Sequence, residues 1–172
     1  VTGVQTCALP ILTDRAQWVA KAFSDHGDLV YRVACQRLRH RQDAEDVTQE
    51  VFIRLLRSGD SSRDDAALRA WLIRVTVNLC VDERRSAWFR HRAGDDMLDS
   101  IPAKAPEAPL DADLERALAR LSADERTILY LYYYEGYTIA EIARFLAVRT
   151  STCSSRLGRA RKKLAPWLEE SL

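Results

Sequence analysis

The chain has 172 residues, a length that permits one medium domain or two small ones. Its 47% apolar residues are enough for real cores, its 30% charged residues keep a surface soluble, and few Gly and Pro favour helices over sheets. No apolar run approaches the length of a membrane span, and no basic n-region opens the chain as a signal peptide would, so the protein is expected to work in the cytoplasm.

In chain order, residues 1–11 (VTGVQTCALPI) have no helical period and end near Pro10; they match what a common sequencing-library adapter primer encodes in frame and are read as non-native. Trp18, Val19, Ala22 and Phe23 predict a short first helix closing near Gly27. Leu29, Val30, Val33, Ala34 and Leu38 line a second. A third opens at Asp43, an acidic start suited to the positive end of a helix, carries Val47, Val51, Leu55 and Leu56, and ends at Ser58-Gly59. The fourth runs from about Ala66 into the 80s with Leu68, Trp71, Leu72, Val75, Leu79 and Val81 inward. Residues 93–110, with Pro102, Pro106 and Pro109, cannot hold a regular helix and mark a boundary.

Beyond it, Leu114, Leu118 and Leu121 share one helix. Ser122–Glu125 has capping-box spacing and opens the next, which Gly136 breaks. Thr138–Glu141 is a second capping box, opening a short helix with Ile142, Ala143, Phe145 and Leu146. A tight turn at residues 147–149 leads to a last helix from Thr150 to about Leu164, ended by Pro166. The expected fold is all-α: a four-helix domain over 12–92, a flexible Pro-containing linker over 93–112, and a second four-helix domain over 113–172.

The charge is unevenly spread. Residues 95–125 hold nine acids against Lys104, Arg116 and Arg120, a net of −6, whereas 148–164 hold six bases and no acid. The last two helices have helix-turn-helix spacing, with small Ala143 at the closest approach and Cys153 and Leu157 pointing to the core. The other face of the final helix carries Arg149, Thr150, Ser151, Ser154, Ser155, Arg156 and Arg159, and Arg161, Lys162 and Lys163 continue the stripe. Arginine grips guanine through two hydrogen bonds and Ser or Thr reaches a base or phosphate, so this face suits a major groove. Thr150 or Ser151 is expected to cap the helix. The alternative is a short bundle with an ordinary solvated basic face.

Cys7, Cys35, Cys80 and Cys153 form no CxxC pair and have no His at ligand spacing, which reads as free thiols rather than a zinc or redox centre. No paired carboxylates, nucleophile constellation or phosphate loop is present, so neither catalysis nor a cofactor or metal is expected. The tyrosines at 130, 132, 133, 134 and 137 sit near acids in sequence and are expected to pack rather than to stack on bases.

Residues 114–165 (LERALARL…RARKKLA) resemble region 4 of extracytoplasmic-function (ECF) sigma factors of bacterial RNA polymerase. QDAEDVTQEVFIRLL (42–56) resembles region 2.2, and LRAWLIRVTVNLCVDERR (68–85) resembles regions 2.3 and 2.4. The resemblance implies promoter recognition without chemistry. The last helix would read the −35 element, and Arg74, Asn78, Asp82, Arg84 and Arg85 would hold the unpaired −10 strand, with Asn78 nearest a base. Asp43, Glu45, Asp46, Gln49, Glu50 and the neighbouring Phe52 would dock on the coiled coil of the largest catalytic subunit. The implied partners are polymerase core, including its flap, promoter DNA and an anti-sigma factor. Three positions depart from the family pattern: Ala147 where Gly is common, Arg149 for a frequent Pro, and Ser154 for a frequent base. A self-sufficient repressor and an interaction module that reads no DNA are the rival readings. The acidic 95–125 stretch is also expected to shield the basic last helix when the domains pack together.

Overall fold

The computed structural model describes residues 10–58, 64–92 and 117–169, and their side chains over 14–58, 64–85 and 117–166. The linker at 93–112 and residues 1–9 of the segment read as non-native lie outside these residues, whereas Pro10 and Ile11 of that segment belong to the first helix. Three long helices come first: α1 (Pro10–Leu38), α2 (Arg41–Ser58) and α3 (Asp65–Arg92). After a helical turn at 117–119 come α4 (Ala123–Leu129), continued by a π-helical turn (Tyr130–Tyr134), then α5 (Ile139–Phe145) and α6 (Thr150–Glu169). All regular structure among the described residues is helical.

Two expected breaks are absent. The predicted first and second helices are one, because Gly27 keeps helical geometry and sits 3.6 Å from the Phe23 ring at the point where its Cβ would stand. A mid-helix glycine costs only about 1 kcal/mol relative to alanine, which packing of this size offsets. Nor does Pro166 end the last helix, which runs on to Glu169. Proline removes one backbone hydrogen bond, and Pro166 is exposed in the last turn of the helix, where that loss is small.

The other punctuation follows the sequence. Ser122 Oγ accepts from Glu125 N at 3.2 Å while Glu125 Oε2 accepts from Ser122 N at 2.8 Å, and Thr138 and Glu141 repeat the reciprocal pair at 3.3 and 2.9 Å. Gly136 takes φ +73°, a left-handed conformation that lets the chain leave the π turn without strain.

Two cores result. Ala22, Val30, Ala34, Val47, Val51, Leu55, Leu68, Leu72 and Cys80 close the three-helix domain, with Trp71 packed against them as its spacing predicts. The second core is shared: Leu29 and Val33 of α1 and Ile73 and Val77 of α3 are buried together with Ile128, Leu131, Ile142, Cys153 and Leu157. The two helical domains therefore lie against each other along one continuous apolar seam. Ile73 and Val77 were not among the inward residues read from the sequence. Their signal is that residues 71–81 are apolar almost all round, which marks a helix covered on more than one side.

Polar ties cross the same seam. Arg126 Nε donates to Gln36 O at 2.8 Å, Arg32 Nη1 to the Tyr134 hydroxyl at 2.9 Å and Arg69 Nη2 to Glu135 Oε2 at 3.1 Å. Burial, joined by the nearby guanidiniums of Arg39, Arg84 and Arg37, pulls Arg126 down to about 10, so it stays charged at neutral pH.

Candidate nucleic-acid interface

The helix-turn-helix is made by α5 and α6. Ile142, Ala143 and Phe145 are buried from α5 and Cys153, Leu157 and Ala160 from α6, which fixes which face of α6 turns outward. Between them the chain reverses through Ala147 at φ +52°, and Val148 N donates to Ala143 O at 3.0 Å. The position where the family favours Gly thus keeps the left-handed turn with an alanine, at a local cost of about 1 kcal/mol. Arg149 O accepts from Cys153 N at 3.0 Å, so Arg149 rather than Thr150 or Ser151 occupies the cap position; Thr150 is already the first helical residue.

Arg149, Thr150, Ser151, Ser154, Ser155, Arg159 and Lys162 are all exposed on the outer face of the helix. Two predicted members point elsewhere. Arg156 is only 26% exposed and its Nη1 lies 2.6 Å from Asp124 Oδ2, so it braces α6 against α4. Arg161 is exposed but its guanidinium lies 5.5 and 5.4 Å from the rings of Tyr132 and Tyr133, a cation–π contact with the π turn. Lys163 Nζ meets Glu125 Oε2 at 2.8 Å. Asp124 and Glu125, the two described acids of the 95–125 stretch, thus hold the flank of α6; the other acids expected to shield it lie outside the described residues.

On α3, Arg74, Asn78, Asp82 and Arg85 form one exposed stripe, spaced at three and four residues. Arg84 is exposed too, close enough to Arg126 for the two charges to repel. Trp88 and Phe89 fall within α3 as it continues to Arg92, and their side chains lie outside the described residues.

On α2, Asp46 and Gln49 are exposed and Asp43, Glu45 and Glu50 half-buried. Two of these acids are matched within the helix, Arg41 Nε to Glu45 Oε1 at 2.8 Å and Arg54 Nε to Glu50 Oε1 at 2.9 Å, while Asp43 N donates to Nδ1 of His40 just before the helix at 3.4 Å. Phe52, read as a hydrophobic anchor, is buried under an edge-to-face contact with Phe23 at 4.9 Å between centroids. Its spacing with Val51 and Leu55 places it in the core, and the apolar side chains that do reach the surface here are Phe23, Ile53 and Leu56.

The tyrosines pack, as expected, but against bases. Tyr134 stacks on Tyr130 at 5.3 Å and receives Arg32, while Arg69 lies 5.5 Å over Tyr137; Tyr133 and Tyr134 remain 61% and 66% exposed. Cys80 is buried, and burial pushes its thiol up to about 12, which makes it inert. Cys35 and Cys153 are also free thiols raised by burial.

Comparison with known proteins fits this geometry. Residues 22–90 match the Sigma-70 region 2 family and residues 111–164 match Sigma-70, region 4. The ECF RNA polymerase sigma factor SigL of Mycobacterium tuberculosis is 34% identical over 154 residues, covering 86% of this chain and 87% of SigL. The chain belongs to the ECF RNA polymerase sigma factors. The sigma factor is also 36% identical over 151 residues to SigE of Mycolicibacterium smegmatis, covering 83% of its own length and 58% of that protein. Its fold is that of RpoE from Bartonella quintana, solved in complex with the anti-sigma factor NepR, with a TM-score of 0.73 at 24% identity over 87% of this chain and 96% of that one. CnrH, solved with the cytosolic domain of CnrY, gives 0.60 at 23% identity over 92% and 96%. The match to region 4 spans α5 and α6 as far as Leu164, and that to region 2 spans the second half of α1, α2 and most of α3.

Proposed function

We propose that this sigma factor brings RNA polymerase core to promoters by presenting α6 to the −35 duplex and the exposed stripe of α3 to the melted non-template −10 strand. The observation that carries the reading is the outer face of α6, where Arg149, Ser151, Ser154, Ser155 and Arg159 stand free while Cys153, Leu157 and Ala160 anchor the helix behind them. Arg149 and Arg159 supply base or phosphate contacts, and the hydroxyls fit between them. Arg74 and Arg85 hold backbone on either side of Asn78, which reads a base edge. The α2 face at Asp46 and Gln49 docks on the coiled coil of the largest catalytic subunit, with Ile53 and Leu56 as the apolar part of that contact. The domain division at 12–92, 93–112 and 113–172, the cytoplasmic location, contact with the polymerase flap and an anti-sigma partner belong to the same reading.

Geometry adds a condition. Elements centred at −35 and −10 are 25 base pairs apart, or about 85 Å along B-form DNA. A compact chain of this length is roughly 40 Å across. The two domains must therefore part along their shared seam before both helices can reach their elements at once.

Run-off transcription with core polymerase on a promoter library tests this directly. Initiation that depends on the protein, from sites sharing −35 and −10 motifs, is expected. Absence of initiation together with tight binding of the protein alone to a palindrome would replace the reading with a repressor.

A further inference from the structure

One end of the seam gathers positive charge from both domains. Arg126, from α4, is buried against the C-terminal end of α1, where its Nε donates to Gln36 O at 2.8 Å. Its Nη1 donates to Leu121 O at 2.6 Å, in the residues leading into α4. Arg39, which follows α1 in a left-handed conformation at φ +58°, sends Nη1 to Ala119 O of the same stretch at 3.4 Å. Arg37, next to Gln36 on α1, is buried with Nη1 3.0 Å from Asp124 Oδ1. Three guanidiniums thus converge where the end of α1 meets the start of α4, and Arg84 of α3 is near enough to repel Arg126 as well.

The carboxylates at this place are divided among several bases. Asp124 is shared between Arg37 and Arg156, whose Nη1 lies 2.6 Å from Oδ2, and Glu125 holds Lys163 Nζ at 2.8 Å. Ion pairs within 4.0 Å among the described residues reach Arg37 but not Arg39, Arg84 or Arg126. Arg126 is instead held by two neutral carbonyls, and each of its three arginine neighbours repels it more than Glu125 attracts it.

Attraction and repulsion across the seam differ in exposure. Each ion pair that crosses it has one sheltered partner, Arg37 at 5% exposure and Glu135 at 15%. Of the groups that repel Arg126, Arg39 and Arg84 are exposed to solvent. Salt screens exposed charges far more than buried ones, over a length that falls from about 30 Å at 0.01 M to about 3 Å at 1 M. Added salt therefore removes repulsion and leaves much of the attraction in place.

We propose that the arginine cluster is a spring set against domain closure, in which like charge between Arg126 and the guanidiniums of Arg37, Arg39 and Arg84 pushes the domains apart. Low ionic strength favours the parted form and high ionic strength the closed one, the reverse of a seam held by exposed ion pairs. The spring goes beyond the promoter reading and belongs to the chain alone, so its test needs neither polymerase nor promoter.

X-ray scattering of the full chain in sodium chloride from about 0.01 to 1 M decides the matter. The radius of gyration is expected to contract as salt rises, toward the roughly 16 Å of a compact chain of this length. The double variant Arg39→Gln, Arg84→Gln keeps long polar side chains but loses two charges. It is expected to be compact already at low salt and to lose most of the salt response. Asp124→Asn, which takes the counter-charge from Arg37, is expected to expand the chain at low salt with its helicity by circular dichroism unchanged. If Asp124→Asn loses helicity instead, the salt series and the double variant still decide. A radius that grows with salt, or does not move, would overturn the proposal. So would a contraction that persists in full in the double variant, which would place the salt response elsewhere in the chain.

Discussion

The helices α3 and α6 carry exposed polar stripes of the same kind, but they are supported differently. Behind α6 stand mainly α4 and α5 of its own domain, although Cys153 and Leu157 also reach the shared core. α3 is held from two sides: Leu72 and Cys80 enter the core of the first domain, while Ile73 and Val77 enter the core shared with the second. Parting the domains therefore leaves the surroundings of α6 nearly unchanged but uncovers one flank of α3. The comparison separates a reading head that is always available from one whose neighbourhood depends on the state of the seam.

Adjacent residues can break that comparison. Leu72 and Ile73 are both fully buried, and truncating either to alanine is expected to cost about 2–5 kcal/mol. Leu72→Ala should lower the denaturation midpoint of the three-helix domain. Ile73→Ala should instead expand the molecule in X-ray scattering and leave that midpoint nearly in place. Equal midpoint losses with no expansion would mean that the two domains unfold as one unit.

A smaller effect sharpens the picture of α6. Arg159→Ala is expected to weaken binding to a −35 duplex by about 1–3 kcal/mol in fluorescence anisotropy. Arg156→Ala is expected to lose less affinity than this, and to lower thermal stability, because Arg156 is spent on Asp124. At the turn, Ala147→Gly is expected to stabilise the protein by about 1 kcal/mol in chemical denaturation, since glycine adopts φ +52° without strain.

The smallest expected effect is on pH. Burial works against ionisation of Glu125, but the Lys163 ammonium and the Ser122 donors outweigh it and hold its carboxyl below the usual range. A lowered folded-state value means that this stability is present above the unfolded pKa, near 4.3, and is lost as pH falls through the folded one. Glu125→Gln should flatten the acid limb of a melting-temperature profile; an unchanged limb would remove Glu125 from the account.

Much of the fold was legible because local chemistry decided it. Both capping boxes and Gly136 are read from four or fewer residues, and the outward face of α6 follows from 3.6-residue periodicity alone. Where long-range packing decided, the sequence was silent. Gly27 looks like a stop until the Phe23 ring is placed over it, and Pro166 looks like one until its exposure is known. Arg156 and Arg159 are the same residue type three apart, yet only the position of Asp124 separates a brace from a reader. Phe52 carried its own correction, since its spacing with Val51 and Leu55 already placed it inward. The shared core was visible as an overly apolar α3, but periodicity does not name the partner of a face.

The π turn at Tyr130–Tyr134 has a consequence of its own. Glu135 N reaches back to Tyr130 O at 3.2 Å, five residues away instead of four, so the segment holds one residue more than an α-helix would over that stretch. Each residue in a helix turns the next by about 100°. The surplus residue is what swings Glu135 to Arg69. Three tyrosines in a row occupy this place, so loss of a single codon among them would barely alter the composition yet would carry the carboxylate away from its arginine. One of the ties between the two domains thus depends on the number of residues in this turn as well as on their identity.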